Sequence, residues 1–120
     1  MRPHEDLDVW KRAVELVVSV YAETKEFPSD ERFGLTSQIR RAAVSIPANI
    51  AEGAARKSDK ENLQFLSIAQ GSCSELETEL LIASKLRYLE TGAFESLRNE
   101  SSNIGRMLIG LSRYLESKSK

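Results

Sequence analysis

Apolar residues recur along this chain at three- and four-residue steps in four separate stretches, and nowhere do they alternate with the period of two that a half-buried strand requires. The first stretch, about Asp8 to Glu26, places Trp10, Ala13, Val14, Val17, Val20 and Tyr21 on one face. Phe27-Pro28-Ser29-Asp30 ends it, because a residue before proline is pushed out of the helical region. The second stretch begins at Leu35, ends between Gly53 and Lys57, and carries Leu35, Ile39, Ala43, Ile46, Ile50 and Gly53 as its stripe. The third opens at Ser58-Asp59-Lys60-Glu61 and runs to about Leu89; its Ser and Glu suit a capping box. Thr91-Gly92 then offers a turn with glycine for a left-handed C-terminal position. The fourth, about Ala93 to Ser117, repeats Phe94, Leu97, Ser101, Ile104, Leu108, Leu111 and Leu115 as a bundle seam. Such short connections force neighbouring helices to be antiparallel. The pattern therefore predicts an all-α, antiparallel up-down-up-down four-helix bundle, with residues 1–120 as one domain.

Two stretches depart from a plain amphipathic helix. In the second, Pro47 lacks the N–H that would bond the Ala43 carbonyl, and its ring crowds that carbonyl, so a kinked or restarted helix is expected. Beside its apolar stripe runs a polar one, Gln38, Arg41, Ser45, Asn49, Glu52 and Arg56, at the same spacing. The third stretch has two seams. Leu66, Ala69, Cys73, Leu76, Leu80 and Ala83 form one; Phe65, Ile68, Ser72, Glu75, Glu79, Ile82, Leu86 and Leu89 form the other. A helix apolar over so broad an arc can face its own bundle and a partner together. Glu75 and Glu79 interrupt the second seam, and carboxylates near apolar surface need a cation or several hydrogen bonds. Arg40, Arg41 or a neighbouring subunit are the expected sources.

Composition narrows the function. With 41% hydrophobic and 29% charged residues the chain has the make-up of a globular protein. Its apolar runs are far shorter than the roughly 20 residues that cross a bilayer, and acids stand where an export signal would be apolar, so a cytoplasmic location and no membrane partner are expected. The single cysteine, Cys73, falls on an apolar stripe and reads as a core residue. Seventeen Lys and Arg against eighteen Asp and Glu give a net charge of −1, whereas a dedicated nucleic-acid binder usually carries a basic excess. The charge is uneven, however. Between Arg32 and Lys57 stand five basic residues, Arg32, Arg40, Arg41, Arg56 and Lys57, and one acid, Glu52.

Catalytic patterns do not emerge. A di-iron bundle needs Glu-x-x-His pairs on facing helices, yet the one histidine, His4, lies in the N-terminal tail. Glu75 and Glu79 alone are too few to hold a metal. No serine stands in a nucleophile's relation to a base, Ser45 beside Pro47 reads as local backbone satisfaction, and phosphate-loop and dinucleotide glycine patterns are absent. The expectation is a protein without enzymatic activity, cofactor, metal or small-molecule substrate.

Trp10-Lys11-Arg12-Ala13, Phe27-Pro28 followed by Glu31, Phe33-Gly34-Leu35, Ser45-Ile46-Pro47, Asn49-Ile50-Ala51-Glu52-Gly53 and the run from Ser72 to Leu80 together resemble, in order and spacing, the four-helix-bundle family of the 23S ribosomal RNA intervening-sequence protein. The resemblance spans nearly the whole chain. It implies an up-down bundle, and in some members a ring-like homopentamer; a related branch, the accessory variability protein of diversity-generating retroelements, works with a reverse transcriptase and binds nucleic acid through basic residues. The resulting expectation is a homo-oligomer, a pentameric ring, acting as scaffold or accessory in a process involving RNA, DNA or a nucleic-acid enzyme. Arg40, Arg41, Arg56 and Lys57 are its candidate phosphate contacts, with salt bridges to Glu75, Glu79 or Asp59 as the alternative. Gln38, Ser45, Asn49, Glu52, Glu75 and Glu79 are candidates for an interface or a structural polar network. A protein-interaction module with no nucleic-acid role is the competing class.

Overall fold

The structure is a computed structural model that describes residues 2–118. Four helices, α1 (Asp8–Thr24), α2 (Leu35–Ala54), α3 (Asp59–Lys85) and α4 (Thr91–Lys118), are preceded by a 3-10 turn at Pro3–Asp6 and interrupted by another at Ser29–Glu31. No strand occurs among the described residues. Each helix packs on its neighbour in chain order, and α1 closes the bundle against α4. The direction of two pairs can be read from side-chain contacts. Ser45 meets Ser72 across α2 and α3, with Glu31 just before α2 meeting Tyr88 just after α3, while Gln70 meets Ser112 and Ser101 meets Glu77 across α3 and α4, so residue numbers fall on one helix as they rise on the other. The result is an antiparallel four-helix bundle, 48 × 21 × 21 Å.

One continuous core runs down its axis. Leu16, Ile39, Ile46, Ile50, Leu66, Leu76, Leu80, Ile104 and Leu108 are buried essentially completely, each contributing about 1.5–3 kcal/mol relative to an exposed position. The α2 stripe, the first α3 seam and the α4 seam expected from periodicity line this core, apart from Leu35 and Leu111 at its margin, whereas the second α3 seam leaves Ile68, Glu75, Ile82 and Leu86 exposed. The α1 stripe is rotated. Val9, Ala13, Leu16, Val20 and Thr24 are its buried residues, Trp10 and Val17 pack at the edge, and Tyr21 is exposed. Apolar side chains surround much of α1, so spacing alone leaves its inward direction open.

Three local expectations are refined. First, of the kink or restart expected at Pro47 the restart does not occur; α2 runs through it as one helix, with the ring buried in the core. Second, the left-handed residue lies at Arg87 (φ 66°), not Gly92, which belongs to the first turn of α4. The Tyr88 N–H reaches the Ala83 carbonyl at 2.9 Å and the Arg87 N–H reaches Ser84 at 3.0 Å, a Schellman closure that ends α3 at Lys85, earlier than the expected Leu89. A non-glycine left-handed residue costs about 1–2 kcal/mol. The anchoring of Tyr88, whose hydroxyl donates to Glu31 at 3.1 Å and whose ring packs on Phe27, opposes that cost. Third, Ser58 forms half a capping box: its hydroxyl accepts from the Glu61 N–H at 3.2 Å, but the Glu61 carboxylate takes the Ser58 hydroxyl rather than the Ser58 N–H.

Gly53 marks the closest approach of α2 to α3. A Cβ there would lie 2.5 Å from Asn62 Oδ1, 3.0 Å from the Phe65 Cβ and 3.2 Å from the Asn62 carbonyl. Gly53→Ala should therefore lower stability by about 1–3 kcal/mol despite the better helix propensity of alanine. Urea unfolding of the two proteins checks this, and a stabilised variant would refute the close contact.

Candidate functional site

Where α2 begins, the loop before it is folded tightly onto the bundle. The Glu31 carboxylate accepts from the Leu35 N–H at 3.2 Å and from the Tyr88 hydroxyl, so one acid satisfies the start of α2 and pins it to the end of α3. Gly34 makes room, since a Cβ would stand 2.8 Å from Glu31 Oε1. This fold holds Phe33 out into solvent, 88% exposed, with the Arg32 guanidinium 5.3 Å from its ring centre. Below Phe33 lies a cleft of about 550 Å³ between α2 and α3, lined by Phe33, Ser37, Gln38, Arg41, Glu75 and Glu79.

Glu79 is the unusual member. It is 9% exposed, and its Oε1 is buried with no hydrogen-bond donor among the described residues. Burial, and secondarily the neighbouring Glu75, push its carboxyl up to about 7. The expected ion pairs to Arg40 or Arg41 do not form. Arg41 lines the cleft without coming within 4.0 Å of either acid, and Arg40 points the other way. Leaving such a group unsatisfied costs about 1–3 kcal/mol.

The polar stripe of α2 divides into parts with different work. Ser45 Oγ lies 2.8 Å from Ser72 Oγ, and the Asn49 amide donates to both the Ser45 hydroxyl (2.9 Å) and the Ser45 carbonyl (2.8 Å). That chain ties α2 to α3 at mid-height, so Ser45 serves an inter-helix bond as well as its own backbone. Glu52 pairs with Arg56 one turn on, at 2.6 Å on the surface, a contact of small energy. Gln38 is exposed and faces the cleft.

The four basic candidates do not form one patch. Arg40 Nε donates to Thr24 Oγ1 at 2.9 Å, Nη2 reaches the Tyr21 carbonyl at 3.4 Å, and the guanidinium stacks 4.4 Å from the Tyr21 ring. It caps the C-terminal end of α1, where a cation meets unpaired carbonyls. Arg56 is engaged by Glu52 and covers the Phe65 ring at 4.8 Å. Arg41 and Lys57 are exposed and free of ion pairs among the described residues, but Lys57 lies beyond the C-terminal end of α2, and roughly 20 Å of helix separates Arg41 from that end. Spacing missed Phe33, because a residue just outside a helix has no place on its stripe; the Phe-Gly step ahead of Leu35 is the signal that could have found it.

Elsewhere the chemistry is quiet. No group of three or more His, Cys, Asp or Glu among the described residues could hold a metal ion. The buried Cys73 thiol is pushed up to about 11 by burial, which removes nucleophilic character at neutral pH. His4 stacks edge-on against Trp10, ring centres 4.9 Å apart. No helix among the described residues is long and apolar enough to cross a membrane.

Two outcomes follow from this geometry. Arg40→Ala should lower stability by about 1 kcal/mol, read by urea unfolding, because it strips the α1 end of its cation. For Glu79, a folded-state carboxyl raised to about 7 from 4.5 means that the folded protomer holds a proton that the unfolded chain has released. The protomer should lose stability as pH rises from about 4.5 to about 7 and then level off. Glu79→Gln should flatten that slope and be more stable than the parent at pH 8 by about 1–3 kcal/mol, as thermal melts across pH would show at concentrations dilute enough to keep both proteins monomeric.

Comparison with known proteins fits this architecture. None of the curated proteins matches the chain. A crystal structure of a protein of unknown function from the S23 ribosomal protein family of Bacteroides thetaiotaomicron superposes with a TM-score of 0.78 at 27% identity, covering 87% of this chain and 97% of that one. The model of the 23S rRNA-intervening sequence protein family matches residues 5–110, and the chain belongs to that family.

Proposed function

We propose that this protein is a non-catalytic, homo-oligomeric helical scaffold that assembles through the outer edge of the α2–α3 pair and serves as an accessory in an RNA-related process. The observation that carries the assembly is the exposed apolar row beside the cleft: Phe33 before α2, with Ile68, Ile82 and Leu86 on the outer edge of α3, each 44–50% exposed. Ile68, Glu75, Ile82 and Leu86 follow one another at seven, seven and four residues, so they share a face. A monomer gains nothing by exposing it. The RNA setting draws on the family's description and on Arg41 and Lys57, the two basic candidates left unpaired. A ring would repeat those two cations around an axis, and multivalency would raise weak phosphate contacts to useful affinity. One observation favours the competing module without a nucleic-acid role: Arg40 and Arg56 are already used inside the protomer.

Light scattering on the full chain should give a closed multiple of the 13.5 kDa protomer, five for a pentamer. A labelled mixed-sequence RNA should bind the oligomer at low salt, weaken steeply as salt rises, and lose most of its affinity in an Arg41→Ala, Lys57→Ala double variant. A species that stays at 13.5 kDa would refute the scaffold; an oligomer indifferent to RNA would move the function to a protein partner.

A further inference from the structure

A carboxylate oxygen that is buried and lacks a donor is rare, since buried acceptors nearly always have a partner. Glu79 Oε1 has none, and the side chain lines an open cleft rather than a sealed void. The cleft walls hold two acids, Glu75 and Glu79, against one base, Arg41, so the site has room in its charge balance for one further cation. Its rim is apolar, with Phe33 above and Ile82 and Leu86 alongside. Covering that rim would exclude water, and an ion pair formed beneath it would be far stronger than one on an open surface.

We infer that this cleft is the receptor for a lysine or arginine side chain of a second copy of the chain, which completes the site by donating to the Glu79 carboxylate. The inference rests on the homo-oligomer reading above and adds the contact that fixes its register. A second copy is the occupant that the molecule itself supplies. Of the Lys and Arg among the described residues, only Arg12, Arg56 and Lys118 form ion pairs there. Many cations thus remain free for a neighbour. The near-neutral net charge of −1 lets copies approach without strong repulsion. An arginine would bond the carboxylate through two parallel N–H groups, and a lysine through a single point charge.

The contact carries a pH signature. The charged and titratable groups facing Glu79 are Glu75 on its own helix and Arg41 on α2; Ser37 and Gln38 complete the wall and do not titrate. In the free protomer the Glu79 carboxyl sits near 7, raised by burial and by Glu75. An incoming cation binds the ionised form, so assembly releases a proton and tightens as pH rises from 6 to 8.

Sedimentation equilibrium of the full chain from about 1 to about 100 μM, at pH 6 and pH 8, tests this with parent, Glu79→Gln and Phe33→Ser proteins, each checked for folding by circular dichroism. The parent should associate more tightly at pH 8. Glu79→Gln should need roughly tenfold or more protein for half-assembly and lose the pH dependence, while melting no lower than the parent as a protomer. Phe33→Ser should weaken assembly at both pH values and keep the pH dependence. A parent that assembles alongside a Glu79→Gln protein of unchanged affinity would overturn the receptor and leave the scaffold standing. A parent monomeric throughout would overturn both.

Discussion

The approach of α2 to α3 is the constraint on which the rest of the bundle depends. It is made where small residues meet the neighbouring helix, Gly53 against Asn62 and Phe65 and Ser45 against Ser72. Small residues bring backbones together and leave little room for water between them. At that separation the one polar bond across the middle, Ser45 to Ser72, is short at 2.8 Å and holds the two helices in register. Glu79 lies where that closeness ends, on the wall of the open cleft it shares with Gln38, Arg41 and Glu75.

A second consequence concerns where polar residues go once two helices are locked. On α2 the residues flanking the contact are not free to act as one surface, since each is drawn to its nearest available partner. Asn49 turns back on Ser45, Glu52 takes Arg56, and Arg40 reaches across to the end of α1. Only the upper part of the groove, between Gln38, Arg41, Glu75 and Glu79, is too wide for the side chains present to close it. The openness of the cleft and the unmet acceptor inside it therefore have one origin.

The bundle was legible in the sequence because helix periodicity, short connections and a dominant apolar stripe agreed over α2, α3 and α4. Where they disagreed, the reading drifted. On α1, apolar residues such as Trp10, Val17 and Tyr21 surround the true inward edge, and spacing could not tell which arc faces the core. At the end of α3 a glycine was expected to make the left-handed turn, but Arg87 makes it, held by the Tyr88 anchor that no local rule reveals. The candidate site was legible in part. Glu75 and Glu79 stood out as carboxylates in an apolar seam, and they do share the cleft with Gln38 and Arg41. Periodicity places residues around a helix but not along the surface between two helices. It therefore grouped four basic residues that the fold assigns to a helix cap, a surface pair and two distant exposed positions.

Cys73 gives the molecule a property unrelated to its partners. Its thiol is buried on the α3 face that meets the core, its proton is held up to about 11 by that burial, and no second cysteine exists to compete for reagents. Such a thiol reacts with a dye far more slowly in the folded bundle than in the opened chain. The chain thus carries its own reporter of bundle opening, one that requires no engineered label.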